Sequence, residues 1–204
     1  MKPMHPSRVP LYAFVVFVVL LGAIPAEAHL NTTGMGPLYD GLVHFLMSPE
    51  DIIPVLALAL LAGLRGASHG RRALFTIPAA WLVGGLIGLS ASAANPHPFV
   101  AAGWFLVLGV LLAADANISV PVITAIASLL GLYHGYLNGT GMGTSTDATV
   151  ALLGLVFAVF VLIALGAAFV IRLRAEWARI AVRVAGSWIA ATGLLMFGWA
   201  VRAK

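Results

Sequence analysis

Residues that hold metals or carry protons gather in two short stretches. The first is HFLMSPED, residues 44 to 51, which sets His44, Glu50 and Asp51 in front of a long apolar run. The second is GLYHGYLNGTGM, residues 131 to 142, which carries His134 and Asn138. Imidazole nitrogen combined with carboxylate or amide oxygen is a mixed donor set suited to divalent nickel, cobalt, zinc or copper. The chain contains no cysteine, so disulfides and thiolate metal sites are both excluded. His134 and Asn138 are four residues apart and share one face of a helix. If a helix runs on from residue 41, His44 and Asp51 also share a face, and Glu50 points away by roughly a third of a turn. His29 is a further candidate ligand, because cleavage after Ala28 would make it the first residue of the mature chain.

Each stretch also has a purely structural account. In SPED, Ser48 reads as an N-cap, Pro49 as the first helical residue, and Glu50 and Asp51 as acids at the positive end of the helix dipole. Asp51 stands where a capping box places its acid. The glycines at 135, 139, 141 and 143 fit a helix end and a close approach to a neighbour. The first account does not explain His44, and the second, with a histidine at the negative end of the dipole, covers the His134–Asn138 pair less well than the glycines. Ionisable groups inside a membrane segment are costly and are retained for function. The expectation is therefore a site in which His44 and Asp51 meet His134 and Asn138 across a bundle.

The elements that must position these residues follow from composition. Of 204 residues, 61% are hydrophobic and 9% charged, which is too apolar for a water-soluble core. Mean hydropathy is +1.03. The expected fold is an all-α polytopic membrane helix bundle, with spans at about 50–66, 72–94, 97–115, 118–137, 147–172 and 177–201. The first is short and can be extended by 37–48. No alternating ten-residue pattern suggests a barrel. Ahead of the spans lie a basic start at Lys2 and Arg8, an apolar stretch LYAFVVFVVLLGAIP, and AEA at 26 to 28. That order predicts a cleaved signal peptide over 1–28 and a single transmembrane domain over 29–204. Arg65, Arg71 and Arg72 flank one connection and Arg172, Arg174 and Arg179 another, so both face the cytoplasm by the positive-inside rule. The mature N-terminus then lies on the outer, periplasmic side of an inner membrane. His29, His44, His97 and His134 fall on that side, and His69 in a cytoplasmic loop. The net charge of +4 is spread along the connections, which argues against a nucleic-acid partner. No nucleotide fingerprint or soluble catalytic domain is present.

In this order the motifs resemble those of the HupE/UreJ family, membrane proteins associated with hydrogenase and urease and regarded as nickel or cobalt permeases. The resemblance rests on AEAHL, the Gly-rich lead GMGPLYDGLVH, the stretch from His44 to Asp51 at the family's His-x5-Asp-His motif, GRRALFTIPAAWLVGGLIG, and HGYLNG at the family's HGxxHG element. His44 and His134 match family positions in kind. Glu50 keeps a carboxylate where the family has Asp, while Asp51 and Asn138 replace imidazoles with oxygen donors. The resemblance implies a permease for a divalent transition metal, nickel or cobalt first. Two other classes compete with it. One is a non-transporting accessory protein that binds copper, nickel or zinc at the outer face for a metalloenzyme or its maturation system. The other is a haem protein ligated by His44 and His134, for which the chain shows no catalytic partner.

Overall fold

Proline and glycine set where the helices start and stop. The computed structural model describes residues 33–91, 94, 97–143 and 146–202. The signal peptide expected over 1–28, and His29, lie outside the described residues. Within them the chain forms α1 (Pro37–Met47), α2 (Pro49–Arg65), α3 (Ala67–Leu89), α4 (Pro98–Ala113), α5 (Val120–Met142), α6 (Thr146–Ile171) and α7 (Glu176–Arg202). Proline occupies the first turn of α1, α2, α4 and α5, where its missing N–H costs nothing. Gly66, between α2 and α3, has φ 102°, a conformation that a side chain would oppose.

The molecule is a polytopic helical membrane bundle. α3, α5, α6 and α7 are each long and apolar enough to cross a bilayer, and α1 with α2 qualifies as a fifth, broken span bent by 75°. α4 is apolar but only 16 residues long, about 24 Å at the helical rise and so short of a full hydrocarbon core. Thus all six expected spans correspond to helices, but only five meet the length criterion. Two local expectations are corrected. α3 begins at Ala67 rather than 72, which shrinks the connection to Gly66 and puts His69 in a helix instead of a loop. α1 and α2 are not one continuous helix from residue 41, because the chain turns at Ser48.

Partners in the bundle are mostly not neighbours in sequence. The most extensive interfaces are α3 with α5, α4 with α7, and α1 with α6, while α2 lies against α6, α3 and α4. The α3–α5 interface is built on glycine. A Cβ at Gly135 would come 2.2 Å from the Trp81 carbonyl oxygen, and one at Gly88 2.3 Å from that of Tyr136. Such approach, from small residues at four-residue spacing, replaces the hydrophobic drive that lipid cannot supply. Phe45, Leu58, Leu61, Ile77, Trp81, Leu152 and Ile163 fill the interior between these pairs.

The two ends of the bundle differ in chemistry. Asp115, after α4, pairs with Arg65 at the end of α2 and lies 3.8 Å from Arg179 at the start of α7. Arg183 donates to the Ala113 carbonyl at 3.0 Å, and the His69 ring contacts the Ile118 carbonyl at 3.1 Å. The opposite end carries His44, Glu50, Asp51 and the C-terminal half of α5.

Candidate functional site

Asp51 of α2 and His134 of α5 are 83 residues apart in sequence and meet inside the bundle. His134 Nδ1 lies 2.7 Å from Asp51 Oδ1, with both side chains only 4% exposed. Asn138, one turn further along α5, donates from Nδ2 to Asp51 Oδ2 at 3.1 Å and to the His134 carbonyl at 2.9 Å. Both of those neighbours are acceptors, which fixes the orientation of the amide. Asp51 thus accepts on both oxygens, and the three side chains form one buried polar group.

The local sequence explains how Asp51 becomes free for this role. Ser48 is the residue before α2, but its side chain makes no capping bond there. Its hydroxyl instead donates back to the His44 carbonyl at 2.7 Å, closing the end of α1. The expected capping box is therefore not formed. Pro49 at the start of α2 lowers the number of N–H groups needing a cap, and the Asp51 carboxylate turns inward. Glu50, the adjacent residue, is exposed.

His134 is enclosed by aromatic rings. Its centroid lies 5.5 Å from Trp81 of α3, 6.5 Å from Trp104 of α4 and 5.2 Å from its neighbour Tyr133. Phe45 of α1 packs edge-on against Trp81 at 6.0 Å. Within this shell His134 Nε2, Asn138 Oδ1 and the indole nitrogens of Trp81 and Trp104 are buried without hydrogen-bond partners. In the neutral tautomer with Nδ1–H toward Asp51, Nε2 is an acceptor, as Asn138 Oδ1 is. In that tautomer two buried acceptors stand in one polar group with no protein donor for either among the described residues. Unpartnered buried groups of this kind cost several kcal/mol each in order of magnitude.

The expected residues divide accordingly. Asp51, His134 and Asn138 converge. His44 is half-buried and makes no side-chain hydrogen bond among the described residues. The 75° turn after α1 removes it from the face it would have shared with Asp51. Glu50 remains within electrostatic range of His44, Asp51 and His134. Among the described residues no three His, Asp or Glu side chains cluster as metal ligands. His97 is exposed ahead of α4, as its loop signature predicts. The aromatic shell escaped the sequence reading, which took the tryptophans as interface anchors or packed residues. Trp177, Trp188 and Trp199 are exposed, while Trp81 is fully buried and packed, and what the reading did not give is its place beside His134.

Comparison with known proteins bears on what this arrangement serves. The family model described as HupE / UreJ protein matches residues 17–196. Protein HupE of Rhizobium leguminosarum bv. viciae is 24% identical over 186 residues, which is 89% of this chain and 96% of that protein. No solved structure matches the chain.

Proposed function

The chain belongs to the HupE/UreJ family, and from that premise we propose that it is a membrane permease for a divalent transition metal, nickel or cobalt first, and not an enzyme. The observation that carries this reading is His134 Nε2, buried and unpartnered beside a carboxylate. Asp51 holds the imidazole by its other nitrogen, which is how carboxylates orient and strengthen metal-binding histidines. Asn138 Oδ1 offers an oxygen donor in the same group. Glu50, exposed at the start of α2, supplies negative charge near the approach, and His44 a second imidazole nearby. The His29 amine and ring would join from the outer side if the signal peptide is removed.

In this scheme the cation loses part of its hydration shell to His134 and Asn138, while Asp51 compensates its charge without direct contact. Oxygen donors in place of imidazoles shift preference toward harder ions, so binding weaker than in a three-histidine site is expected. That weakness suits passage, since an ion must also leave.

A second reading is that the protein binds metal at its outer face without transporting it, at the end that carries Glu50 and His44. Purified protein in liposomes separates the two. A permease moves nickel or cobalt into the lumen, and an accessory protein only retains it on the membrane. At matched expression, His134→Gln and Asp51→Asn should each abolish uptake into cells. Wild-type uptake in both variants would remove this site from the mechanism.

A further inference from the structure

The basic end of the bundle holds a cavity that the metal site does not use. It has a volume of about 500 Å³ and is lined by Ser68, Arg71, Arg72, Phe75, Thr76 and Val120. The first five belong to α3 and repeat at three- and four-residue spacing, so they form one face of that helix. Val120, at the start of α5, supplies the opposite wall.

Three features of this cavity point to a ligand of one kind. Its lining contains two arginines and no carboxylate. Arg71 and Arg72 are exposed and form no ion pair among the described residues, whereas Arg65 and Arg179 at the same end both face Asp115. Two guanidinium groups lining one cavity present planar forks of donors that match phosphate oxygens. The Ser68 and Thr76 hydroxyls add donors along the same face. Polarity also changes with depth. α3 runs from the end of the bundle toward its middle, so the arginines lie nearer the end and Phe75, 66% exposed, about one turn deeper. A charged rim above an exposed aromatic ring has the polarity profile of a phospholipid, with phosphate outside and acyl chain inside.

We propose that this cavity binds the phosphate group of an anionic phospholipid, held by Arg71 and Arg72, with the acyl chain against Phe75. The site is separate from Asp51 and His134, which lie toward the other end of the bundle.

Native mass spectrometry of the purified full chain tests this, using dioleoyl phosphatidylglycerol and dioleoyl phosphatidylcholine as probes. Wild type should retain phosphatidylglycerol in preference to phosphatidylcholine. The double variant Arg71→Gln/Arg72→Gln should lose that preference several-fold. Arg172→Gln/Arg174→Gln, which removes the same charge from another connection, should keep it. Equal loss in both double variants would mean that charge alone is responsible, and no loss in either would empty the cavity of this role. A thermal-stability arm distinguishes the source of the phosphate. Stabilisation by phosphatidylglycerol and not by excess inorganic phosphate supports a lipid site. Equal stabilisation by inorganic phosphate, lost in Arg71→Gln/Arg72→Gln, would overturn the lipid assignment in favour of a free anion.

Discussion

At the residue scale, Asp51 is the centre of the polar group. It accepts from both His134 and Asn138 and is itself 3% exposed. Removing it leaves the imidazole without a partner and the Asn138 amide with only the His134 carbonyl, so the cost is that of breaking a buried pair rather than losing one bond. Asp51→Ala should lower stability by about 3–5 kcal/mol. His44, half-buried and without a hydrogen bond, offers a contrast on the same segment. His44→Ala should cost no more than about 1 kcal/mol, whatever it does to metal uptake. Unfolding in detergent, followed by circular dichroism, compares the two. Comparable losses would mean that Asp51 is not the anchor of this region.

At the scale of elements, glycine decides which helices can pair. Gly135 lets α5 settle against the Trp81 carbonyl of α3, and it also sits beside His134. A methyl group there meets backbone, which cannot rotate away. Gly135→Ala should therefore cost about 1–3 kcal/mol by overpacking, with uptake falling because the imidazole moves with its helix. Gly141, on the same helix, faces open space. Gly141→Ala should be neutral or stabilising by up to about 1 kcal/mol. If both alanine variants behave alike, close packing is not what holds α3 to α5. At the opposite end, Asp115 has φ 50° and ties α2 to α7 through Arg65 and Arg179. Asparagine accepts that backbone conformation, so Asp115→Asn isolates the charge. Its melting temperature should drop, corresponding to about 1–3 kcal/mol for charged hydrogen bonds between partly buried groups. An unchanged melting temperature would show that the backbone turn alone joins these helices.

At the scale of the whole molecule, charge is segregated along the bundle axis. Arg65, Arg71, Arg72, Arg172, Arg174 and Arg179 cluster at the end where α2 passes to α3 and α6 to α7. Asp51 and the C-terminal part of α5 lie toward the other end. We propose from the arginine bias that the first end faces the cytoplasm. Because the chain has no cysteine, single-cysteine variants report topology without background. Ser68→Cys should react with a membrane-impermeant maleimide only after the membrane is opened, and Thr146→Cys in intact spheroplasts. Reaction of both from one side would contradict six crossings, and a reversed pattern would invert the path proposed for the metal.

Much of this was legible in the chain before any fold was known. Apolar runs long enough to span lipid give helices, because an unpaired backbone in hydrocarbon leaves no other choice. Their ends fell close to prolines and glycines that cannot continue a helix. Asp51, His134 and Asn138 were recognisable because polar groups in apolar runs need a reason. The tertiary structure alone decided the rest. It turned the chain at Ser48, sent that hydroxyl back to the His44 carbonyl, and so parted His44 from the face of Asp51. It also set Trp81 of α3 and Trp104 of α4 around His134. In water, an apolar stripe tells which face of a helix is buried. In a membrane, apolar side chains face lipid and interior alike, so the pairing of α3 with α5 and of α4 with α7 rests on small-residue contact and shape that hydropathy does not record.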